Sequence, residues 1–507
     1  PNSELFFFNV DSFWLECVDT GGCPDNRRVG SAHGCRLGVA GGGSRRCHRP
    51  MDDSDESNSN SSPSDQMVLE KEISQMGEML LILRLLSGRE VAITINQEAT
   101  MAELRRSVEK ALGMPPHLMR LFREEVELAA PFDTKVLECG LTAGCVLTAV
   151  SMASEEFLPV KLEHREQPIP KRLQLQRLAG RDAMWSRYDF RDLCTGDLVT
   201  VREIDYFDED DLAGRLVKEI YLLQHLNHEN LLKLVDFLPP ATPDFKDFCF
   251  IVEHMETDLG QVLRSKQELS EEHCQYLSYQ MLRGLSYLHS ANVVHQGLRP
   301  HSVLINRNCH VKLSELWEAQ AMGGEASDHD TARWYRAPEI ILNNDWETMP
   351  LTGACDAWAV GCILFEMYQR KPLFTSPDYV RHISNIVKLL GNPSAADLEW
   401  VGLDRARNFI DQLPTSPSED WAQNCGNAGE LLTSLVVFDP RKRCSCPEAL
   451  QHRYFQDWSD PEDSQLDRCQ APIDWRKLGD LSRSRELRRQ FVRDECRRRH
   501  PEVFSNG

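Results

Sequence analysis

The chain has 507 residues, of which 41% are apolar and 27% charged, a balance ordinary for a globular protein of two or three domains at about 100–200 residues each. Its 57 basic and 78 acidic residues leave a net charge of −21, which argues against nucleic acid as a partner and favours basic peptides. No apolar run approaches the ~18 residues that span a bilayer, and the short LFFFNV near the start lacks the basic flank of a signal peptide. No membrane partner is expected. The 17 cysteines are odd in number and scattered, without paired C-x-x-C sets. They read as reduced thiols of the cytosol, or of the nucleus, rather than a disulfide framework or zinc site.

Residues 1–75 show no sustained periodicity and include, at 51–66, the polar, serine-rich MDDSDESNSNSSPSDQ. Such a composition buries too little apolar surface to offset chain entropy, so a disordered segment is expected. Met51 is either the biological start, with 1–50 foreign to the native protein, or an internal residue of a genuine unstructured N-terminus. From 76 to 151 the pattern sharpens. LLILRLLSGREVAITI reads as two strands about a turn at Ser87-Gly88. MAELRRSVEKALG then places Met101, Leu104, Val108, Ala111 and Leu112 at helical spacing, closed by Gly113 and Pro115-Pro116. LMRLFREEVEL and CVLTAVSM add short strands. This order, with GMPPHLMRLF where ubiquitin-like chains carry G-x-P-P-x-x-Q-R-L, resembles a ubiquitin-like β-grasp domain. The resemblance implies a fixed module, since the chain runs on without a terminal Gly-Gly. It also implies an apolar recognition patch near Leu86 and Phe122, with ubiquitin-pathway proteins as candidate partners.

A linker is expected at 152–171. From 172 to 468 the phrases VKEIYLLQHLNHENLLKLVDF, YLSYQMLRGLSYLHSANVVH, ARWYRAPEIIL, CDAWAVGCILFEM and DPRKRCSCPEALQHRYF occur in order. Together they resemble a protein kinase of the MAP kinase type, in the CMGC group. The resemblance implies a strand-rich small lobe followed by a helical large lobe. Residues 469–507, with Leu478, Leu481, Leu487 and Phe491 at near-helical spacing, resemble that family's C-terminal extension returning to the small lobe. The fold class expected is thus multidomain α+β, a ubiquitin-like β-grasp followed by a two-lobed kinase-like domain.

Phosphoryl transfer needs a glycine loop over the phosphates, a lysine tied to a helix glutamate, metal-binding side chains and a base for the hydroxyl. Set against the family pattern, the glycine loop falls on GRDAMWSR, where Gly180 is kept while Asp182 and Trp185 replace glycines. The lysine is Arg202, whose planar fork is no substitute for a compact ammonium, and its partner Glu219 is kept. The line VVHQGLRPHSVLIN stands where such kinases read H-R-D-L-K-P-x-N-L-L-I-N. His295 is kept, but Gly297 replaces the base, Arg299 the lysine and Ser302 the metal-binding asparagine. D-F-G aligns with Glu315, Leu316 and Trp317. Ala332 replaces the threonine beside the catalytic loop, and Gln296 the arginine that, with Arg215, would grip a phosphothreonine. Ser327-Asp328-His329 stand at the activating T-x-Y.

Asp356 is expected to anchor the His295 loop, and Glu339 to pair with Arg443. Asp460, Glu462 and Asp463 fall on the family's acidic docking segment, which implies signalling partners with basic-apolar motifs. The reading is a catalytically impaired MAP kinase-like pseudokinase, a scaffold or docking protein of the cytoplasm, or of the nucleus, with no cofactor expected. The alternative is a weak or specialised ATP-dependent protein serine/threonine kinase, with ATP and magnesium as cofactors and Glu315 and Ser302 as metal ligands.

Overall fold

The computed structural model describes residues 78–500 except 86, 88, 115–118, 125, 129, 152–156, 163–165, 182–184, 205–209, 241–244, 246, 327–332, 344–345, 347–348, 415–420, 459–467 and 470. The segment 1–75 therefore lies outside the described residues. So do Leu86, Asp182, Ser327, Asp328, His329, Ala332, Asp460, Glu462 and Asp463.

Strands β1 (Glu78–Leu85) and β2 (Glu90–Asn96) pair antiparallel, as the alternating apolar pattern predicts. Met79, Leu81 and Leu83 all point into one core, because successive side chains leave opposite faces of a strand. Helix α1 (Met101–Leu112) begins at Thr100, whose hydroxyl and the Glu103 carboxylate form a reciprocal capping box. It packs Met101, Leu104 and Val108 onto the sheet. Strands β3 (Met119–Arg123), β4 (Val126–Glu127) and β5 (Val146–Ser151) complete a mixed sheet of order β2-β1-β5-β3-β4, in which β1 and β5 run parallel. Phe122 is half-buried on β3.

The segment expected as a linker carries paired structure. Strands β6 (Phe157–Lys161) and β7 (Glu166–Pro170) form an antiparallel ribbon. Leu162 and Ile169 are buried with Tyr188, Phe190 and Ile251 of the next sheet, so the ribbon caps that sheet's outer face. The polar composition of 152–171 gave no hint of this, since the apolar side chains that make the contact are few and a polar one, the buried Gln167, joins them by donating to the Pro239 carbonyl at 3.0 Å.

The small lobe is a sheet of order β11-β12-β10-β9-β8, built from β8 (Leu173–Arg181), β9 (Trp185–Asp192), β10 (Leu198–Ile204), β11 (Leu234–Phe237) and β12 (Phe248–Glu253). Helix α2 (Asp210–His225) lies against it. The β9–β10 turn meets the N-terminal sheet domain. Arg106 of α1 reaches Asp197 at 2.5 Å and donates to the Thr195 carbonyl at 3.2 Å. Phe132 packs on Gly196, whose φ of +76° and lack of a side chain both suit the turn and this close approach.

The large lobe is helical, with α3 (Glu271–Ser290), α4 (Ala354–Gln369) and α5 (Tyr379–Leu390) as its main members. The C-terminal helices α6 (Trp475–Arg483) and α7 (Arg485–Arg499) return to the small lobe, as the family resemblance implied. Leu478, Leu481 and Phe491 are buried, whereas Leu487 is 45% exposed and lies off the packed face. The Ser482 carbonyl stands against Gly214 of α2, and His500 lies 3.2 Å from Asp236 on β11. Among the described residues no helix is long and apolar enough to cross a membrane. No disulfide joins the described cysteines to one another.

The large lobe is tied together by Arg443 and Glu339, which meet in two parallel contacts of 2.5 and 3.0 Å. Arg443 also donates to the carbonyls of Ala354 and Val437 and lies 5.0 Å over the Trp358 ring. Both side chains are buried, so removing one leaves the other charged and uncompensated. Arg443→Ala is expected to lower the unfolding free energy by ~3–5 kcal/mol, as read from urea titration followed by tryptophan fluorescence. Glu339→Gln, which keeps some hydrogen bonding, is expected to cost less.

Candidate functional site

The loop from His295 to Ser302 is held from below by one carboxylate. Asp356, in the first turn of α4, accepts the backbone N–H of His295 at 2.9 Å and of Gln296 at 2.8 Å. His289 Nε2 lies 2.8 Å from the same carboxylate. Burial would push the Asp356 carboxyl up, but the bond and charge of His289, with His295 and the Gln296 N–H, hold it below its ordinary value. Gln296 takes a left-handed φ of +63°, which turns the chain into the site. The His295 ring is fully buried, with Nε2 3.0 Å from the Ser314 carbonyl, and burial lowers its pKa despite Asp356.

Gly297 follows. A Cβ placed there would stand 2.8 Å from Glu318 Oε2 and 2.9 Å from its Cδ, so the Glu318 side chain lies where residue 297 would begin its own. Sequence reasoning missed Glu318. It sits just beyond the segment aligned with D-F-G, and nothing in ELWEAQ signals that it turns back onto Gly297. Arg299 pairs with Glu315 at 2.7 Å. Glu315 takes a left-handed φ of +66° at the head of the 3-10 turn Leu316–Glu318, a backbone state unusual for a residue other than glycine. Burial pushes its carboxyl up to about 7; Arg299 and Arg202 oppose this, and Glu318 adds to it.

The Ser302 hydroxyl accepts the Arg299 N–H at 3.0 Å and donates to the Arg299 carbonyl at 2.8 Å. Its one proton is committed to the loop's own backbone. The side-chain donors proposed for magnesium are therefore an engaged hydroxyl and an ion-paired carboxylate, a poor fit to a hard cation that demands near-octahedral oxygen ligands.

Across the cleft, Arg202 on β10 and Glu219 on α2 pair at 3.1 Å, both buried. The pair joins the sheet to the helix. Trp185, the first residue of β9, is 4% exposed, and its ring lies 4.6 Å from the Arg202 guanidinium carbon. Its other edge meets Trp317 at 5.1 Å and 70°. The two indoles thus bridge the small lobe to the Leu316–Glu318 turn, and a cation under an indole face adds ~0.5–2 kcal/mol to that contact. Gly180 pairs in register with Arg187. Of the residues singled out in the sequence, Trp185, Arg202, Glu219, Gly297, Arg299, Ser302, Glu315 and Trp317 are brought to this interlobe region.

A small strand-rich lobe hinged over a helical lobe, with this loop and ion pair between them, is matched by the sequence profile described as "Protein kinase domain" over residues 183–455. The chain belongs to the protein kinase family. Within that family it falls with the MAP kinases of the CMGC group. It is 37% identical over 344 residues to "Extracellular signal-regulated kinase 1" of Dictyostelium discoideum, covering 66% of this chain and 64% of that protein. It is 38% identical over 302 residues to "Mitogen-activated protein kinase 3" of Arabidopsis thaliana, covering 58% of this chain and 80% of that one. A third relative, "Mitogen-activated protein kinase 4" of Arabidopsis thaliana, is 40% identical over 268 residues, covering 51% of this chain and 70% of that protein.

The raised Glu315 carboxyl has a stability signature. Its folded pKa, about 7, lies above the ordinary 4.5, so the folded form binds the proton more tightly than the unfolded chain. Its contribution is then most favourable below the ordinary value, declines as pH climbs through that window, and is flat above it. Glu315→Gln cannot ionise. The melting temperature of this variant relative to wild type is expected to rise between about pH 5 and about pH 8, as read by scanning fluorimetry across buffers of equal ionic strength.

Proposed function

We propose that this chain is a MAP kinase-like protein impaired in phosphoryl transfer, which acts as a signalling scaffold or docking protein and carries a fixed ubiquitin-like interaction module. The observation that carries the reading is at Gly297. The loop around it is fully anchored, yet position 297 offers no proton acceptor and the Glu318 side chain fills its space. Loss of a positioned base alone often costs ~10²–10⁴ in rate. Support also comes from Trp185 lying over Arg202, and from Ser302, whose hydroxyl is spent on the loop. The hairpin–helix–strand order of 78–151 and its parallel β1–β5 pairing support the ubiquitin-like module, and the Arg106–Asp197 contact supports its being fixed. Its partners would be ubiquitin-pathway proteins, and the protein would work in the cytoplasm or the nucleus.

A second reading, an ATP-dependent protein serine/threonine kinase, is favoured by the relatives, which carry the names of mitogen-activated and extracellular signal-regulated kinases. Under it Arg202 would meet phosphate and Glu315 would meet magnesium. Two measurements separate the readings. The purified chain is expected to transfer no phosphate from ATP to itself or to a generic MAP kinase substrate. It should also gain no melting temperature from ATP with magnesium over magnesium alone, where a ligand at 100 times its dissociation constant adds ~2.7 kcal/mol. Gly297→Asp alone is expected to create no turnover, because catalytic groups act as a unit. Transfer above background that vanishes in Glu315→Ala would establish the kinase reading instead.

The docking role rests on Asp460, Glu462 and Asp463, which lie outside the described residues but within the family's acidic segment. Exposed ion pairs contribute ~0.2–1 kcal/mol each, so the acids would steer and select while apolar anchors hold the peptide. A basic-apolar peptide is expected to bind, more weakly as salt rises. Asp460→Lys with Asp463→Lys is expected to weaken it without lowering the melting temperature, as read by fluorescence anisotropy. Binding unchanged by charge reversal and by salt would remove the acidic segment from the docking role.

A further inference from the structure

Glu318 ends the turn Leu316–Glu318 and is 2% exposed, in a region where no sequence motif calls for a buried acid. Its side chain lies along Gly297 so closely that a Cβ there would stand 2.8 Å from Oε2, 2.9 Å from Cδ and 3.1 Å from Cβ of Glu318. Gly297 is not among the residues with positive φ. What position 297 requires is therefore space rather than backbone freedom. The Glu318 Oε2 atom is buried without a hydrogen bond among the described residues. Trp317 gives the carboxylate a side-chain hydrogen bond, and the positive charges act on it at longer range. Burial pushes the carboxyl up, while the guanidinium groups of Arg299, Arg336 and Arg215 pull against that.

These cations come from three separate elements. Arg215 and Lys218 belong to α2 of the small lobe, Arg299 to the His295–Ser302 loop, and Arg336 to the residue after the turn Arg333–Tyr335. The Lys218 ammonium donates to the carbonyl of Ala319, next to Glu318, at 3.1 Å. Arg336 is 6% exposed and donates to the Tyr379 hydroxyl at 3.0 Å, which fixes it from the far side. One buried carboxylate thus lies among positive charges from the small lobe, the central loop and the large lobe.

We propose that Glu318 is a fixed internal anion that fastens α2 and the Arg336 turn onto the His295–Ser302 loop, and that Gly297 is the space that admits it. In a low-dielectric interior, a carboxylate shared among cations attracts all of them, and its removal takes a common counter-charge from each. The lobes would then be held in one relation by a charge the chain itself carries, independent of nucleotide or of any added phosphate. The inference does not depend on whether the protein transfers phosphate, because it concerns the relation of the lobes.

The test uses the full chain and hydrogen exchange read by mass spectrometry. Glu318→Gln keeps the shape and removes the charge. Amides of α2 and of the Arg333–Arg336 segment are expected to exchange roughly tenfold faster or more, with β1 and β2 unchanged. A second pair of variants tests the fit. Gly297→Ala is expected to lower the melting temperature in the native sequence and to lose at least half of that effect when combined with Glu318→Ala. If Gly297→Ala alone does not fold, recovery of soluble protein in the double variant supports the same conclusion. Exchange in α2 of Glu318→Gln equal to wild type, or Gly297→Ala equally damaging in both backgrounds, would overturn the proposal.

Discussion

The carboxylate of Asp356 is the contact on which the rest of the site depends. It receives two consecutive backbone N–H groups, of His295 and Gln296, from a loop far from it in sequence. A buried anion that accepts two main-chain donors fixes backbone position and direction together, which a side-chain pair would not. With that loop fixed, Gly297, Arg299 and Ser302 take their places, and the turn carrying Glu315 and Glu318 closes over them. The partly buried His289 ring beside the same carboxylate helps to keep it ionised.

Around this anchor, the charged groups are arranged to satisfy one another. Arg299 answers Glu315, Arg202 answers Glu219 and Arg443 answers Glu339. Burial sharpens each pair, because a charge removed from water is costly unless partnered. The same economy bears on function. Under the docking role proposed above, a cleft whose acids and cations are mutually engaged would serve as a rigid support, since rigidity lowers the cost of binding. The C-terminal helices add to it by returning across α2, with the Arg488 side chain fully buried and donating to the Ser482 carbonyl at 2.9 Å.

The contact between the N-terminal sheet domain and the small lobe has a different character. Arg106 and Asp197 are about half exposed, at 45% and 51%, so their attraction is screened and weak. Phe132 on Gly196, with Arg191 6.0 Å over the same ring, supplies the apolar and cation–π part. This joint is held by a few contacts on one turn, in contrast to the dense core beneath the loop.

Local pattern was enough to read the hairpin of β1 and β2, and the apolar face of α1 with its closing Gly113, because these signals are local and need no distant partner. Order of motifs was enough to locate His295, Asp356, Glu339, Arg443, Arg202 and Glu219, and the residue types alone showed that position 297 has no base. Three features were decided only in three dimensions. The β6–β7 ribbon depends on a few side chains finding the small lobe, so its polar sequence reads as a linker. The commitment of Ser302 to the Arg299 backbone depends on the loop's turn rather than on the residue type. The approach of Glu318 to Gly297 joins positions 21 residues apart through the pairing of Val293–Val294 with Gln320–Ala321. A sequence records which groups are available; which of them share a buried space is fixed by packing, because the energy of a buried charge depends on what stands beside it.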